Sequence, residues 1–149
     1  MRESGILMHI TSLPSPYGVG TLGKEAYRFV DFLVKAGQRY WQILPVTPTG
    51  FGDSPYQSCS TYAGNSYLID LDMLVEEGLL KKSEITKINW SEDPTRVNFG
   101  LLYTHRANVL RLAFGRSPTA TPPQEAASGC PVPVWILWKL CIPNFRMLQ

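Results

Sequence analysis

Asp53, Ser54, Tyr56 and Gln57 fall within the run GFGDSPYQ, and Asn65 follows shortly after. Phe51, Tyr56 and Tyr62 add three aromatic rings to the same stretch, which is otherwise made of glycine, short hydroxyls and amides. A sugar needs this combination: its C–H face stacks on a flat apolar ring, and its hydroxyls require hydrogen-bonding partners. The same residues equally fit an ordinary long turn whose rings fold back onto a core. Asp53 is the single acid of the loop. Its place before Ser-Pro suits a turn-forming role through an Asx-type hydrogen bond rather than acid–base work.

The elements that must position this loop are readable upstream. Tyr40, Trp41, Ile43 and Leu44 suit a mostly buried strand over Tyr40–Leu44. Pro45 and Pro48 then end the ladder, because proline has no N–H to give. The apolar run GILMHI predicts a first strand over Gly5–Ile10. His9 lies inside that run with no acid near it in sequence, which suits a satisfied core or strand-end histidine better than a base. Between the strands, Ala26, Phe29, Val30 and Leu33 recur at helical spacing and predict a helix over 23–36, with Gly37 as a left-handed C-cap.

Strand, helix, strand in about forty residues is a βαβ unit, so the strands should be parallel with a right-handed crossover. Both polar loops, Ser12–Gly20 and Pro45–Asn65, then leave the carboxyl ends of parallel strands, the edge where α/β folds build their sites. Topology therefore places Tyr17, Asp53, Ser54 and Tyr56 on one face. Packing remains the safer expectation for Tyr17.

Downstream, YLIDLDMLVEEGLL reads as an extended piece and then a helix ending near Gly78, with Asp70 or Asp72 as the cap. Residues 81–98 form a connecting segment with at most one short helix. Phe99–Phe114 is helical: Leu102, Arg106, Val109, Leu110 and Ala113 mix an apolar stripe with basic neighbours, and His105 is expected to face solvent. Residues 115–149 hold six of the twelve prolines and two of the three cysteines, and their first half has no periodicity. This tail is expected to be linker-like and an aberrant end to the reading frame, outside the native fold; the alternative is a real hydrophobic tail that docks on a partner.

The chain of 149 residues can build one domain with a core but falls short of a complete (β/α)₈ barrel, which takes about 250 residues. A net charge of +2, from 14 basic and 12 acidic residues without a basic block, gives no support for nucleic-acid binding. No run approaches the roughly 20 apolar residues of a membrane span, and the N-terminus lacks a signal-peptide pattern. A cytoplasmic compartment is therefore expected. Cys59, Cys130 and Cys141 make neither a metal spacing nor a disulfide framework, and Cys59 suits a small buried thiol. Asn89-Trp90-Ser91 matches a glycosylation acceptor that has no meaning without secretion.

Several unusual runs occur in order: SLPSPYG, GQRYWQILP, GDSPYQS and AGN. Together they resemble the N-terminal part of the amylomaltases (4-α-glucanotransferases), densely over residues 4–80 and more loosely to Phe114. The resemblance implies an α/β fold, namely a partial (β/α)₈ TIM barrel comprising the first βαβ unit, a long βα loop and helices over residues 1–114. It implies transfer of an α-1,4-glucan segment to glucose or another glucan through a covalent glycosyl-enzyme. Such retaining chemistry needs two carboxyl groups about 5–5.5 Å apart. In that family they lie on later strands, so the resemblance implies a fragment with no catalytic residue of its own. Substrate contact is what it carries over: Ser54 and Tyr56 would touch the sugar next to the cleaved bond, with Asp53 holding the loop. Gln57 and Asn65 would be secondary contacts. Phe51 stands where a tyrosine is common in the family, keeping stacking while losing a hydrogen bond. The expected ligand is a maltooligosaccharide or α-glucan, with no cofactor, no metal, no nucleic acid and no membrane. The competing expectation is a non-catalytic carbohydrate-binding module built from the same elements.

Overall fold

Gly5–Leu7 (β1) pairs in parallel with Tyr40–Gln42 (β2), in the register Gly5 to Tyr40, Ile6 to Trp41 and Leu7 to Gln42. The ladder continues for one more bond, from Met8 N–H to Gln42 O at 3.0 Å. This arrangement comes from a computed structural model that describes residues 3–57, 60, 62–93 and 95–117. It forms an α/β chain in two units: one of residues 3–15 and 19–69, the other of residues 16–18 and 70–117 among those described.

In the first unit, the helix Lys24–Lys35 (α1) joins the two strands, within one residue of the expected span at each end. Glu25 in its first turn and Lys35 in its last complement the helix dipole. The helix stops by a Schellman motif. Gln38 N–H reaches Leu33 O at 2.9 Å, and Gly37 N–H reaches Val34 O at 3.0 Å, with Gly37 at φ +69°.

Ala26 and Leu33 of α1 meet Ile10, Leu13, Trp41, Ile43 and Leu68 in one apolar cluster, with Met8, Phe29 and Val30 against it. Phe29 packs edge-on to Trp41 at 5.0 Å, and the Trp41 indole N–H donates to Met8 O at 2.8 Å. Trp41 and Ile43 therefore face the helix, while Tyr40 and Gln42 are exposed. Just past the first strand, Met8 and Ile10 reach this cluster, whereas Leu7 within the strand is exposed.

Both strands are shorter than expected. The first was expected to reach Ile10, but a 3₁₀ turn begins there and spans Ile10–Ser12, so the chain leaves the ladder early. Gly20 closes against this turn, its N–H donating to Thr11 O at 3.1 Å. The second was expected to reach Leu44 and ends at Gln42.

The second unit holds three helices: Leu71–Glu76 (α2), Lys82–Thr86 (α3) and Phe99–Arg116 (α4). Of the two expected caps for α2, Asp70 serves, its carboxylate accepting Met73 N–H at 3.0 Å. Gly78 ends α2 with the same Schellman pairing, from Leu79 N–H to Leu74 O and from Gly78 N–H to Val75 O. Glu84 reaches back to the Lys81 N–H at 2.8 Å, forming the acidic half of a capping box at α3.

Asn98 caps α4, and Leu102, Arg106, Val109, Leu110 and Ala113 are its buried stripe. Arg106 lies fully inside rather than beside that stripe. His105 was expected to face solvent; it is half-buried instead, its ring edge-on to Trp90 at 6.4 Å. The proline-rich tail, apart from 115–117, and Cys59 lie outside the described residues, so the expectations for them do too.

Candidate functional site

The loop after β2 is built from two tight turns set inside a wider one. Gly50 N–H donates to Gln57 O at 2.9 Å and closes the wider turn. Inside it, Asp53 N–H bonds Gly50 O at 3.1 Å and Gln57 N–H bonds Ser54 O at 3.0 Å. Gly52 at φ +96° and Asp53 at φ +53° make the first turn possible. Asp53 is the one described non-glycine residue in the left-handed region, a conformation aspartate tolerates better than most. The Thr49 hydroxyl donates to Asp53 Oδ1 at 3.1 Å. Asp53 thus holds the loop from inside, with its described side-chain partner lying upstream rather than in the downstream Asx turn that was expected.

This frame turns the aromatic rings outward. Phe51 is 102% exposed, Tyr62 98% and Tyr56 75%. An ordinary long turn with its rings folded back onto the core, the alternative left open by residue type, is not what forms. Ser54 is half-buried and Gln57 is exposed, and both are tied by backbone bonds. Asn65 N–H donates to Val46 O at 2.8 Å, and Asn65 Oδ1 caps the 3₁₀ turn Ser66–Leu68 by accepting Tyr67 N–H at 2.9 Å. Phe51, Asp53, Ser54, Tyr56, Gln57 and Asn65 therefore share one loop of the first unit, at the carboxyl edge of its sheet.

Tyr17 packs as expected. It belongs to the second unit and is buried at 3% exposure. Its hydroxyl donates to Asp72 Oδ1 at 2.6 Å and accepts from Lys82 Nζ at 2.6 Å, while Lys82 also pairs with Asp72. Burial pushes the Tyr17 hydroxyl up from its usual range; the Asp72 bond adds to the shift and Lys82 opposes it. Lys82 is held protonated chiefly by its bond to Asp72, then by Tyr17. The result is a structural cluster.

Two polar atoms escaped the sequence reading. His9 Nδ1 and Thr47 Oγ1 are both shut away from solvent without a hydrogen-bond partner among the described residues. His9 is accordingly not the satisfied histidine that was expected. Nothing local in the sequence marks either atom, since an unmet hydrogen bond is a property of packing. No group of three or more His, Cys, Asp or Glu among the described residues could hold a metal ion. No described helix is long and apolar enough to cross a membrane.

Comparison with known proteins places this loop and its βαβ frame in context. Residues 8–129 match the family described as 4-alpha-glucanotransferase. The 4-alpha-glucanotransferase of Streptococcus pneumoniae serotype 4 is 52% identical over 115 residues, covering 77% of this chain and 23% of that protein. The enzyme of the same name from Thermus thermophilus is 50% identical over 131 residues, covering 85% and 24%. Among solved structures, amylomaltase from Streptococcus agalactiae in complex with acarbose aligns with a TM-score of 0.76 at 52% identity, over 81% of this chain and 25% of that one. The chain spans about a quarter of the length of these relatives. With a family match across most of its length and about half of the aligned residues identical to several members, the chain belongs to the 4-alpha-glucanotransferase family.

Proposed function

We propose that the loop of residues 50–65 is part of a glucan-binding cleft, set on the first βαβ unit of a (β/α)₈ glucanotransferase barrel. The observation that carries this reading is the outward display of Phe51, Tyr56 and Tyr62 on a loop held by backbone turns and by the Thr49–Asp53 bond. Large exposed rings on a fixed frame are costly to leave bare and are suited to covering a ligand face. That a neighbour of the same family binds acarbose supports an oligosaccharide as the ligand.

In this reading Tyr56 stacks on or hydrogen-bonds a sugar ring, and Ser54 offers a hydroxyl. Phe51 stacks without a hydroxyl of its own. Asp53 preserves the shape of the loop, and Gln57 and Asn65 are peripheral, Asn65 having already committed its carbonyl oxygen to a cap. The reaction of the whole protein is the transfer of an α-1,4-glucan segment through a covalent glycosyl-enzyme. This chemistry requires two carboxyl groups about 5–5.5 Å apart. We assign neither to this chain: the loop's one acid, Asp53, is engaged by Thr49. That engagement also favours a second reading, in which the chain binds glucan without transferring it.

Two assays on the purified chain test the proposal. Maltotriose titrated into the protein is expected to shift the Tyr56 ring resonances, and Tyr56→Ala is expected to weaken binding. Unchanged affinity in that variant would reduce the loop to scaffolding. Incubation with maltotriose is expected to release no glucose, because orientation without a nucleophile and an acid leaves the bond intact. Glucose release would overturn the assignment of catalysis to residues outside this chain.

A further inference from the structure

Resting on the glucan-cleft reading, we propose that the imidazole of His9 and the hydroxyl of Thr47 form a second polar contact for the saccharide, at the carboxyl edge of the two-stranded sheet. Buried polar atoms in folded proteins are nearly always hydrogen-bonded, so an orphan at a functional edge signals a partner still to arrive. His9 Nδ1 and Thr47 Oγ1 are the two such side-chain atoms of the first unit among the described residues. Both lie just past the carboxyl ends of paired strands: His9 two residues after β1, and Thr47 five residues after β2. The aromatic loop leaves the same edge.

Met8 and Ile10, on either side of His9, join the apolar cluster with α1. Leu7, Tyr40 and Gln42 near the same edge are exposed. His9 is thus half-buried just past the carboxyl end of β1, with its Nδ1 covered and without a partner among the described residues.

Hydrogen-bonding capacity is what the partner must match. Burial lowers the His9 pKa, which keeps the ring neutral near pH 7. A neutral imidazole offers one donor and one acceptor, and a threonine hydroxyl also offers both. A sugar hydroxyl is likewise donor and acceptor at once, so it can satisfy either atom. A carboxylate would pair best with the charged ring, the form that burial disfavours here.

The test uses the 149-residue chain, whose two histidines are His9 and His105. Imidazole nitrogen and carbon resonances are followed by NMR as maltotriose is added, with His105 of the second unit as the internal control. The His9 ring signals are expected to move with those of Tyr56 while His105 stays still. His9→Leu is expected to bind roughly threefold to tenfold more weakly, the scale of one neutral hydrogen bond. His9→Asn, whose amide can take up the position of Nδ1, should recover most of the affinity. The Trp41 indole proton, bonded to the neighbouring Met8 carbonyl, reports whether each variant keeps its fold. Movement of Tyr56 without His9 would overturn this inference and leave the loop reading standing. Stillness of both would overturn the two together. Full affinity in a folded His9→Leu variant would overturn it as well.

Discussion

The hydroxyl of Tyr17 donates a 2.6 Å hydrogen bond to Asp72 Oδ1, joining residues 55 positions apart in the chain. Lys82 completes the cluster from the start of α3, and its ammonium lies 5.3 Å from the centre of the Tyr17 ring. Trp90 meets the same ring edge-on at 6.0 Å. Three short segments of the second unit are thus held at one buried phenol.

Tyr17→Phe should therefore cost about 1.5–3 kcal/mol, the net value of hydrogen bonding to charged groups, since the ring and the Asp72–Lys82 pair both remain. Lys82→Met should cost less than about 1 kcal/mol, because that side chain is largely exposed and its ion pair is screened. Urea unfolding followed by far-ultraviolet circular dichroism measures both, and the order of the two costs is the point at issue.

Gly20→Ala should be far more damaging than its size suggests. A Cβ there would lie 2.7 Å from both Leu13 N and Leu13 O and closer still to Ile10 O, all of them backbone atoms of the 3₁₀ turn and its cap. Backbone cannot swing aside as a side chain can, so the turn itself must open. We expect a loss of about 3 kcal/mol or more, read as a lowered thermal midpoint with earlier loss of the Trp41 indole signal.

The third expectation is a dependence on pH. Arg116 grips Glu84 with two bonds, at 2.8 and 2.7 Å, and also donates to Leu79 O at 3.2 Å. This grip, reinforced by the Lys81 N–H, lowers the Glu84 pKa from its usual 4.5 to about 2. A carboxyl with a depressed folded pKa stabilises the fold above its unfolded pKa and loses that share as pH falls through the folded one. The thermal midpoints of wild type and Glu84→Gln should therefore differ most above pH 4.5 and converge as pH falls toward 2. A constant gap across that window would detach the stabilisation from ionisation.

What could be read without the structure was what repeats locally. Ala26, Phe29, Val30 and Leu33 announce α1, Gly37 and Gly78 announce the helix ends, and the order strand–helix–strand announces a parallel pair. The early exit of β1 was hidden because Ile10 is apolar enough to pass for a strand residue. It is the closure of Gly20 on the turn that bends the chain there. The placements of His105 and Arg106, and the partners of the packed Tyr17, were hidden for a different reason. Each depends on packing among segments distant in sequence, and no periodicity encodes such a partner. At the candidate site, residue types marked the loop and suggested a chemistry for it. Whether its rings turned in or out depended on backbone turns that residue types alone left open.

The two helix ends at Gly37 and Gly78 carry a consequence for chirality. Both sit in the left-handed region, and a Cβ at either position would meet nothing within 4 Å. The barrier to a side chain is therefore one of hand and not of space: an L-residue must strain to adopt this backbone, while its mirror image adopts it at rest. These are places where D-alanine should serve better than the glycine it replaces. It would fit the open space, keep the Schellman bonds, and narrow the freedom of the unfolded chain.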